Sequence, residues 1–186
     1  MRPAVFLDRD GVLIEHVPYL RSVADLALIP GARAAVRALN EAAVPAVLVT
    51  NQSGVARALY SEAELAEIHA ELGRQLEPAR LDGIYYCPHL PPDASESAVE
   101  PYRVVCSCRK PAPGMLQRAA LELDLDLARS LMIGDSTSDA EAGRCAGTAA
   151  ALVRTGVAGS DRGYAAPEHV FDDIGDAIRW WLGPAR

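Results

Sequence analysis

Two carboxylates, Asp8 and Asp10, stand directly after the short apolar run of residues 4–7. The run is typical of a buried strand, and the carboxyl end of such a strand is where ligands bind in an open α/β sheet. A carboxylate there can attack phosphorus, and an acid two residues further lies on the same side of the pleat, within reach of a leaving group. Gly11 then allows the chain to turn away. By itself, this pattern also fits a strand followed by an ordinary acidic turn.

Polar residues follow later apolar runs in the same way. Thr50 follows one run, Asp135 and Asp139 follow another, and Lys110 precedes a predicted helix. A phosphoryl group in transfer needs an in-line nucleophile, an acid for the leaving oxygen and positive charge for its other oxygens. Asp8 and Asp135 together offer the hard oxygen ligands that suit Mg²⁺. These residues therefore predict a Mg²⁺-dependent site for phosphoryl transfer.

A separate group of sulfur and nitrogen donors lies in the middle of the chain. Three thiols and one imidazole come in two closely spaced pairs, Cys87 with His89 and Cys106 with Cys108. Together they can close a tetrahedral structural zinc site. A disulfide network or buried thiols would explain the cysteines but not the histidine. We therefore expect Zn²⁺ to hold a polar loop over residues 87–108, in place of an apolar core.

Two cations, Arg109 and Lys110, follow directly after the last predicted zinc ligand. Zinc would therefore fix both cations where phosphates need them, although Arg109 could instead be a solvated surface charge. The fourth cysteine, Cys145, is expected to be a small buried residue on its helix. His69 is interpreted as an ordinary helix residue, and Tyr19 as either a binding residue or a packed residue of a surface loop.

The alternation of strand-like and helix-like segments predicts an α/β fold with a parallel, doubly wound sheet. The predicted strands are residues 4–7, 46–49, 84–86, 131–133 and 148–153, and the predicted helices are residues 30–43, 61–76, 114–123, a segment that ends at about 145, and 174–182. Residues 14–29 form a long connection, and residues 156–163 form a glycine-rich loop. No large cap domain is expected, and residues 1–186 are predicted to form one domain.

Composition limits the possible functions. The net charge of −7 and the pI near 5.1 argue against a nucleic-acid-binding protein, whose surface would be basic. The amino terminus lacks the pattern of a signal peptide, and no apolar run approaches the roughly 20 residues that span a bilayer. We therefore expect a cytoplasmic monomer that acts on a small molecule, without a membrane or nucleic-acid partner. Cysteines in that compartment are metal ligands or buried thiols more often than disulfides.

These residues, in this order, resemble the haloacid dehalogenase superfamily of aspartyl-phosphate phosphatases. The segment Asp8-Arg9-Asp10-Gly11 is similar to its first motif, Thr50 to the second, Lys110 to the third, and residues 134–139 to the fourth. Val12 stands where many members carry threonine. The resemblance covers nearly the whole chain, and it implies that Asp139 orients the site or Lys110.

The same resemblance implies a role for each residue. Asp8 would be the nucleophile that forms an aspartyl-phosphate, and Asp10 would protonate the leaving oxygen and then activate water. Thr50 and Lys110 would hold the transferring phosphoryl group. Mg²⁺ would be bound by Asp8, the backbone carbonyl of Asp10, and Asp135.

The zinc loop narrows the resemblance to two phosphatase families, those for histidinol phosphate and those for D-glycero-D-manno-heptose 1,7-bisphosphate. The long segment between the ligand pairs, together with residues 50–57 and 82–89, is more similar to the heptose enzymes. Ala58 replaces a usual glycine, and Ser136 stands where some heptose enzymes carry lysine. The resemblance implies removal of the 7-phosphate during the synthesis of nucleotide-activated heptose, a precursor of lipopolysaccharide or other cell-surface glycans.

The substrate would be lined by residues from four segments of the chain. The residues implied are His16, Val17, Pro18, Tyr19, Thr50, Asn51, Gln52, Ser53, Gly54, Arg109, Lys110 and Ser136. Histidinol-phosphate phosphatase activity is the nearest alternative. A zinc-containing interaction module without catalytic activity is an alternative of a different class, and hydrolysis of any phosphate ester with Mg²⁺ would exclude it.

Overall fold

The computed structural model describes residues 1–94, 98–161 and 163–183. Residues 95–97 of the predicted zinc loop, residue 162 of the glycine-rich loop and residues 184–186 of the predicted domain lie outside the described residues. The strands are β1 (Val5–Leu7), β2 (Ala46–Asn51), β3 (Gly83–Cys87), β4 (Leu131–Gly134), β5 (Ala149–Val153) and β6 (His169–Phe171). They form one parallel sheet in the order β3-β2-β1-β4-β5-β6, which confirms the predicted doubly wound fold.

Helices cover both faces of this sheet. They are α1 (Ala32–Glu41), α2 (Glu62–Leu76), α3 (Gly114–Leu123), α4 (Thr137–Ala146) and α5 (Ile174–Leu182). Side chains of α1, α2 and α5 share one buried apolar cluster with the sheet, whereas α3 and α4 contribute to a second cluster on the opposite face. Two short 3₁₀ helices, Val23–Asp25 and Leu127–Arg129, lie in connections. Of the helices in the described ranges, none is both long and apolar enough to cross a membrane.

Three predictions from the sequence were wrong in detail. The edge strand β6 was not predicted, because it is only three residues long and half-buried. Helix α1 ends at Glu41 rather than near residue 43, where Ala43 has a φ of 56° and the chain leaves the helix. Cys145 is exposed rather than buried. It lies two positions after the buried Gly143, about 200° around α4, on the solvent side.

The order of the strands places a crevice at the carboxyl end of β1. The chain moves outward from β1 to β3 in one direction and from β4 to β6 in the other, so β1 and β4 flank the switch point where α/β folds bind ligands. Leu7 pairs with Leu48 of β2 and with Ile133 of β4. The three strands therefore end close together, and the residues that follow them share one crevice.

Candidate active site

A buried lysine connects the end of β1 with β2 and with α4. The Nζ atom of Lys110 lies 2.8 Å from Asp8 Oδ1 and 2.5 Å from Asp139 Oδ1, and it donates a hydrogen bond to the carbonyl of Val49 at 2.9 Å. Burial alone would lower the pKa of Lys110, but the carboxylates of Asp139 and Asp8 outweigh burial and raise it. The lysine therefore keeps its positive charge beside Asp8.

Both oxygens of Asp139 are engaged by the protein. Oδ1 pairs with Lys110, and Oδ2 accepts hydrogen bonds from the backbone N–H and the hydroxyl of Ser136 at 3.1 and 2.7 Å. Asp139 is only 1% exposed. These contacts suit a residue that orients Lys110 and holds the start of α4.

Asp135 is held by the loop that follows β5. The backbone N–H of Val157 donates to Asp135 Oδ2 at 2.7 Å. Gly11 and Gly156, with φ values of 78° and 77°, lie against the same carboxylate. A Cβ at either glycine would come within 2.4 or 2.2 Å of Asp135 Oδ2, so no larger residue fits at these positions without a shift.

The carboxylates of Asp8, Asp135 and Asp139 lie within 4.8 Å of one another. Burial, and then the nearby charge of Asp8, raise the pKa of Asp135 to about 8. Crowded, buried carboxylates repel one another unless a cation neutralises them. Because Asp139 is occupied by Lys110 and Ser136, Asp8 and Asp135 are the two acids that fit an ion such as Mg²⁺, which takes one or two carboxylates.

Asp10 is held on a different side of the crevice. Arg9, which is 1% exposed, donates from Nε to Asp10 Oδ2 at 3.2 Å and from Nη2 to Asp10 Oδ1 at 3.1 Å. The Nε2 atom of Gln52 donates to Asp10 Oδ2 at 3.0 Å and to Thr50 Oγ1 at 2.9 Å. The Asp10 carboxylate therefore has a fixed position that does not depend on the Lys110 cluster.

These groups open into a cleft of about 370 Å³. Most of the predicted site residues line it: Asp8, Asp10, His16, Val17, Pro18, Tyr19, Asn51, Gln52, Ser53, Gly54, Lys110, Asp135 and Ser136. Apart from the four predicted zinc ligands, two predicted site residues are not among the lining residues. Thr50 is buried with its hydroxyl against Gln52, and Arg109 donates from Nη1 to the carbonyl of His89 at 3.2 Å.

Four residues that were not predicted for the site also line the cleft, namely Arg9, Ser138, Tyr60 and Val157. Arg9 lies within residues 8–11 and Ser138 lies within residues 134–139, the segments that resemble family motifs. Both residues could therefore have been predicted as site residues from the sequence. Tyr60 and Val157 lie in loops after β2 and β5 without a motif. Only the fold brings these two residues to the site.

The four predicted zinc ligands converge on one point. Five pairs among the Sγ atoms of Cys87, Cys106 and Cys108 and the Nδ1 atom of His89 are 3.1–3.6 Å apart. A filled tetrahedral site with Zn–S bonds of about 2.3 Å would separate the ligand atoms by about 3.8 Å. The cysteines are free thiols, and hydrogen bonding with Cys87, then with Cys106 and His89, lowers the pKa of Cys108 to about 5. Donor types and spacing both fit Zn²⁺.

Backbone and amide contacts connect this cluster to the cleft. The carbonyl of Cys87 accepts a hydrogen bond from the backbone N–H of Gln52 at 2.7 Å. Asn51 and Lys110 bond reciprocally at 3.0 Å, because the Asn51 amide donates to the Lys110 carbonyl and its oxygen accepts from the Lys110 N–H. Hydrogen bonds therefore join the cluster residue Cys87 to Gln52, and they join Lys110, which follows shortly after the cluster residue Cys108, to Asn51.

Comparisons with known proteins agree with this geometry. Residues 5–80 match the family described as haloacid dehalogenase-like hydrolase, and residues 107–177 match the one described as HAD-hydrolase-like. The chain is 42% identical over 188 aligned positions to a D-glycero-D-manno-heptose-1,7-bisphosphate 7-phosphatase of Thermosynechococcus vestitus, covering 96% of this chain and 95% of the relative. It is 38% identical to a D-glycero-beta-D-manno-heptose-1,7-bisphosphate 7-phosphatase of Escherichia coli K12, covering 99% and 97% of the two chains.

Solved structures show the same likeness. A D,D-heptose 1,7-bisphosphate phosphatase from B. bronchiseptica, complexed with magnesium and phosphate, superimposes with a TM-score of 0.83 at 35% identity, covering 98% of each chain. A D,D-heptose 1,7-bisphosphate phosphatase from Burkholderia thailandensis superimposes with a TM-score of 0.71 at 26% identity, covering 98% of this chain and 100% of that one.

Proposed function

Because this chain belongs to the haloacid dehalogenase-like hydrolases, we propose that it is a Mg²⁺-dependent phosphatase that removes the 7-phosphate of D-glycero-D-manno-heptose 1,7-bisphosphate. Water is consumed, and the products are the heptose 1-phosphate and inorganic phosphate. The reaction belongs to the synthesis of nucleotide-activated heptose. We propose a cytoplasmic enzyme, formed from one domain and active as a monomer.

The observation that carries this proposal is the division of the acids between two environments. Asp8 lies against the ammonium group of Lys110, whereas Asp10 is held separately by Arg9 and Gln52. A two-step phosphoryl transfer needs a nucleophile beside a cation, and it needs a second acid that is not part of that ion pair.

In the first step, a carboxylate oxygen of Asp8 attacks phosphorus and the bond to the sugar oxygen breaks. Asp10 gives its proton to that oxygen as it leaves, so the products of the step are an aspartyl-phosphate and a neutral sugar hydroxyl. In the second step, Asp10 takes a proton from water, which attacks the phosphorus and releases phosphate from Asp8. Lys110 and the Thr50 hydroxyl hold the transferring group, and Asp139 keeps Lys110 in position.

We propose that Asp8, the backbone carbonyl of Asp10, and Asp135 hold Mg²⁺. When bound, this ion would offset the repulsion between the anionic nucleophile and the anionic substrate. Cys87, His89, Cys106 and Cys108 would hold a structural Zn²⁺, which suits their softer donor atoms.

The rest of the substrate would lie against the outer part of the cleft. His16, Val17, Pro18 and Tyr19 line one part of it, and residues 51–54 line another. Ser136 lines the cleft beside Asp139. Arg109 is proposed to recognise the second phosphate or nearby sugar hydroxyls, since a guanidinium can form two parallel hydrogen bonds with such groups.

The test is phosphate release with Mg²⁺ from both anomers of the heptose bisphosphate, measured beside histidinol phosphate. We expect one phosphate per bisphosphate and a clear preference for it in kcat/KM. Asp8→Asn should abolish turnover, because an amide cannot attack phosphorus. Asp124→Asn, the same change at an exposed carboxylate that pairs with the amino terminus, serves as the control. A preference for histidinol phosphate, or turnover by Asp8→Asn within tenfold of wild type, would overturn the proposal.

A further inference from the structure

A chain of buried hydrogen bonds connects Tyr60 to the proposed acid Asp10. The hydroxyl of Tyr60 donates to Gln52 Oε1 at 2.8 Å, and Gln52 Nε2 donates to Asp10 Oδ2 at 3.0 Å. The same Nε2 atom donates to Thr50 Oγ1 at 2.9 Å. Tyr60 is 5% exposed and Gln52 is 2% exposed, so both side chains are shielded from water.

The partners leave Gln52 one suitable orientation. A carboxylate only accepts hydrogen bonds, so the NH₂ group of the amide must face Asp10, and its oxygen must face Tyr60. Burial raises the pKa of Tyr60, which keeps the hydroxyl protonated and able to donate. Reversing the amide would place its oxygen against the Asp10 carboxylate and leave its NH₂ group facing a donor.

Tyr60 itself is held by packing rather than by charge. It belongs to a small apolar cluster with Val55 and Leu65. Its ring lies directly against the backbone of Gly54, where an added Cβ would come within 2.3 Å of the ring. The hydroxyl therefore has a fixed position from which it can orient the amide.

We propose that Tyr60, acting through Gln52, is a positioning residue that fixes the Asp10 carboxylate for proton transfer. On this interpretation Gln52 serves Asp10 and Thr50 more than it serves the substrate. The inference rests on the proposed function only in that Asp10 is the acid and base of a phosphatase.

Tyr60→Phe tests this inference, because it removes the hydroxyl and keeps the ring. The readout is kcat/KM on the heptose bisphosphate and on p-nitrophenyl phosphate, whose leaving group needs no proton. The value of kcat/KM depends only on the steps up to departure of the leaving group. The later hydrolysis of the aspartyl-phosphate therefore does not affect it. We expect about a tenfold loss on the sugar phosphate, the effect of one hydrogen bond, and less than about threefold on the aryl ester.

Tyr86→Phe is the matched control. Its hydroxyl donates to Glu62 at 2.5 Å, outside the cleft, so the ratio of the two kcat/KM values should not change. Equal losses on both substrates with Tyr60→Phe would show a general disturbance of the cleft and would overturn the proposal. The absence of a loss on either substrate would also overturn it.

A double-mutant cycle that combines Tyr60→Phe with a second variant, Gln52→Met, tests whether Tyr60 acts through Gln52. Gln52→Met removes the amide, so Tyr60→Phe should have no further effect on the substrate ratio in that background. Effects that multiply would mean that Tyr60 acts by another route, and the proposal would fail. If the wild type does not hydrolyse the heptose bisphosphate, the proposed function fails instead. The same ratio is then measured with whichever alkyl phosphate it does hydrolyse.

Discussion

Acidification should destabilise this protein through His69, a buried residue of α2. His69 is 6% exposed, and among the described residues its Nε2 atom has no hydrogen-bond partner. Burial, and then the positive charge of Arg9, lower the pKa of His69 from 6.5 to about 3. The folded protein therefore keeps the neutral imidazole at pH values at which the unfolded chain already binds a proton on His69.

The sign and size of the effect follow from this difference. Below pH 6.5 the unfolded chain binds a proton on His69 that the folded chain does not, so the free energy of unfolding falls as the pH falls. At pH 7 the contribution is close to zero, and at pH 5 it is about 2 kcal/mol, since each pH unit below the unfolded pKa costs up to about 1.4 kcal/mol. This contribution to the free energy of unfolding at pH 5 changes little as long as the pKa of His69 in the folded protein stays below about 4.

Urea unfolding of the wild type and of His69→Leu at pH 7, 6 and 5 measures this contribution. The loss between pH 7 and 5 should be smaller in the variant by about 2 kcal/mol. Zinc is kept in excess in all samples, because acid also protonates zinc ligands. His16→Gln, a change at an exposed histidine, should keep the wild-type pH dependence. Equal pH dependence in wild type and His69→Leu, or an NMR titration of His69 with a midpoint above 6, would refute the reasoning.

Three further changes have defined outcomes. Asp10→Asn should lower kcat/KM on the sugar phosphate about 10²–10⁴-fold but much less on p-nitrophenyl phosphate, and equal losses would argue against the acid role. Cys106→Ser should lower the zinc content in metal analysis, the Tm and the activity, without rescue by Mg²⁺; full activity without zinc would contradict a structural zinc site. Ala58→Gly should raise the free energy of unfolding in urea by about 0.5–1 kcal/mol, because Ala58 has a φ of 54°, whereas Ala66→Gly on the exposed side of α2 should lower it.

Local pattern was enough to predict the main architecture. Apolar runs of strand length, each followed by a helical segment, led to a parallel sheet, and that sheet is present. The order of the strands depends on which strands pack beside each other, which no local pattern records. The short edge strand β6 has no continuous apolar run, so its sequence does not differ from that of a loop.

The family resemblance was also predictable, because its motifs lie at strand ends. The matches over residues 5–80 and 107–177 and the heptose bisphosphate phosphatase relatives confirm it. The unusual Ala58 has a physical explanation in the structure. Its backbone lies in the left-handed region that glycine adopts most easily. The alanine here is therefore strained, whereas the glycine that is usual at this position would not be.

What each polar residue touches could not be predicted, because neighbours in the chain serve different partners. Asn51 and Gln52 are adjacent, and both were expected to contact substrate. Both line the cleft, but the Asn51 side chain also bonds the backbone of Lys110, whereas the Gln52 side chain bonds Asp10. Those partners are 59 and 42 residues away in the chain. Such pairings depend on how segments meet in space, which residue type and spacing do not determine.

The distribution of charge shows why pairing matters more than composition. The sequence places several acids at the site together with two cations, Arg9 and Lys110, but it does not show which acid each cation neutralises. In the structure Arg9 neutralises Asp10, so Lys110 is left to face the carboxylates of Asp8, Asp135 and Asp139. Three carboxylates against one ammonium group leave two negative charges when all are ionised, which one divalent cation would balance. Because the charge of Arg9 is already paired with Asp10, the uncompensated negative charge lies beside Lys110, and this is where the proposed Mg²⁺ would be bound.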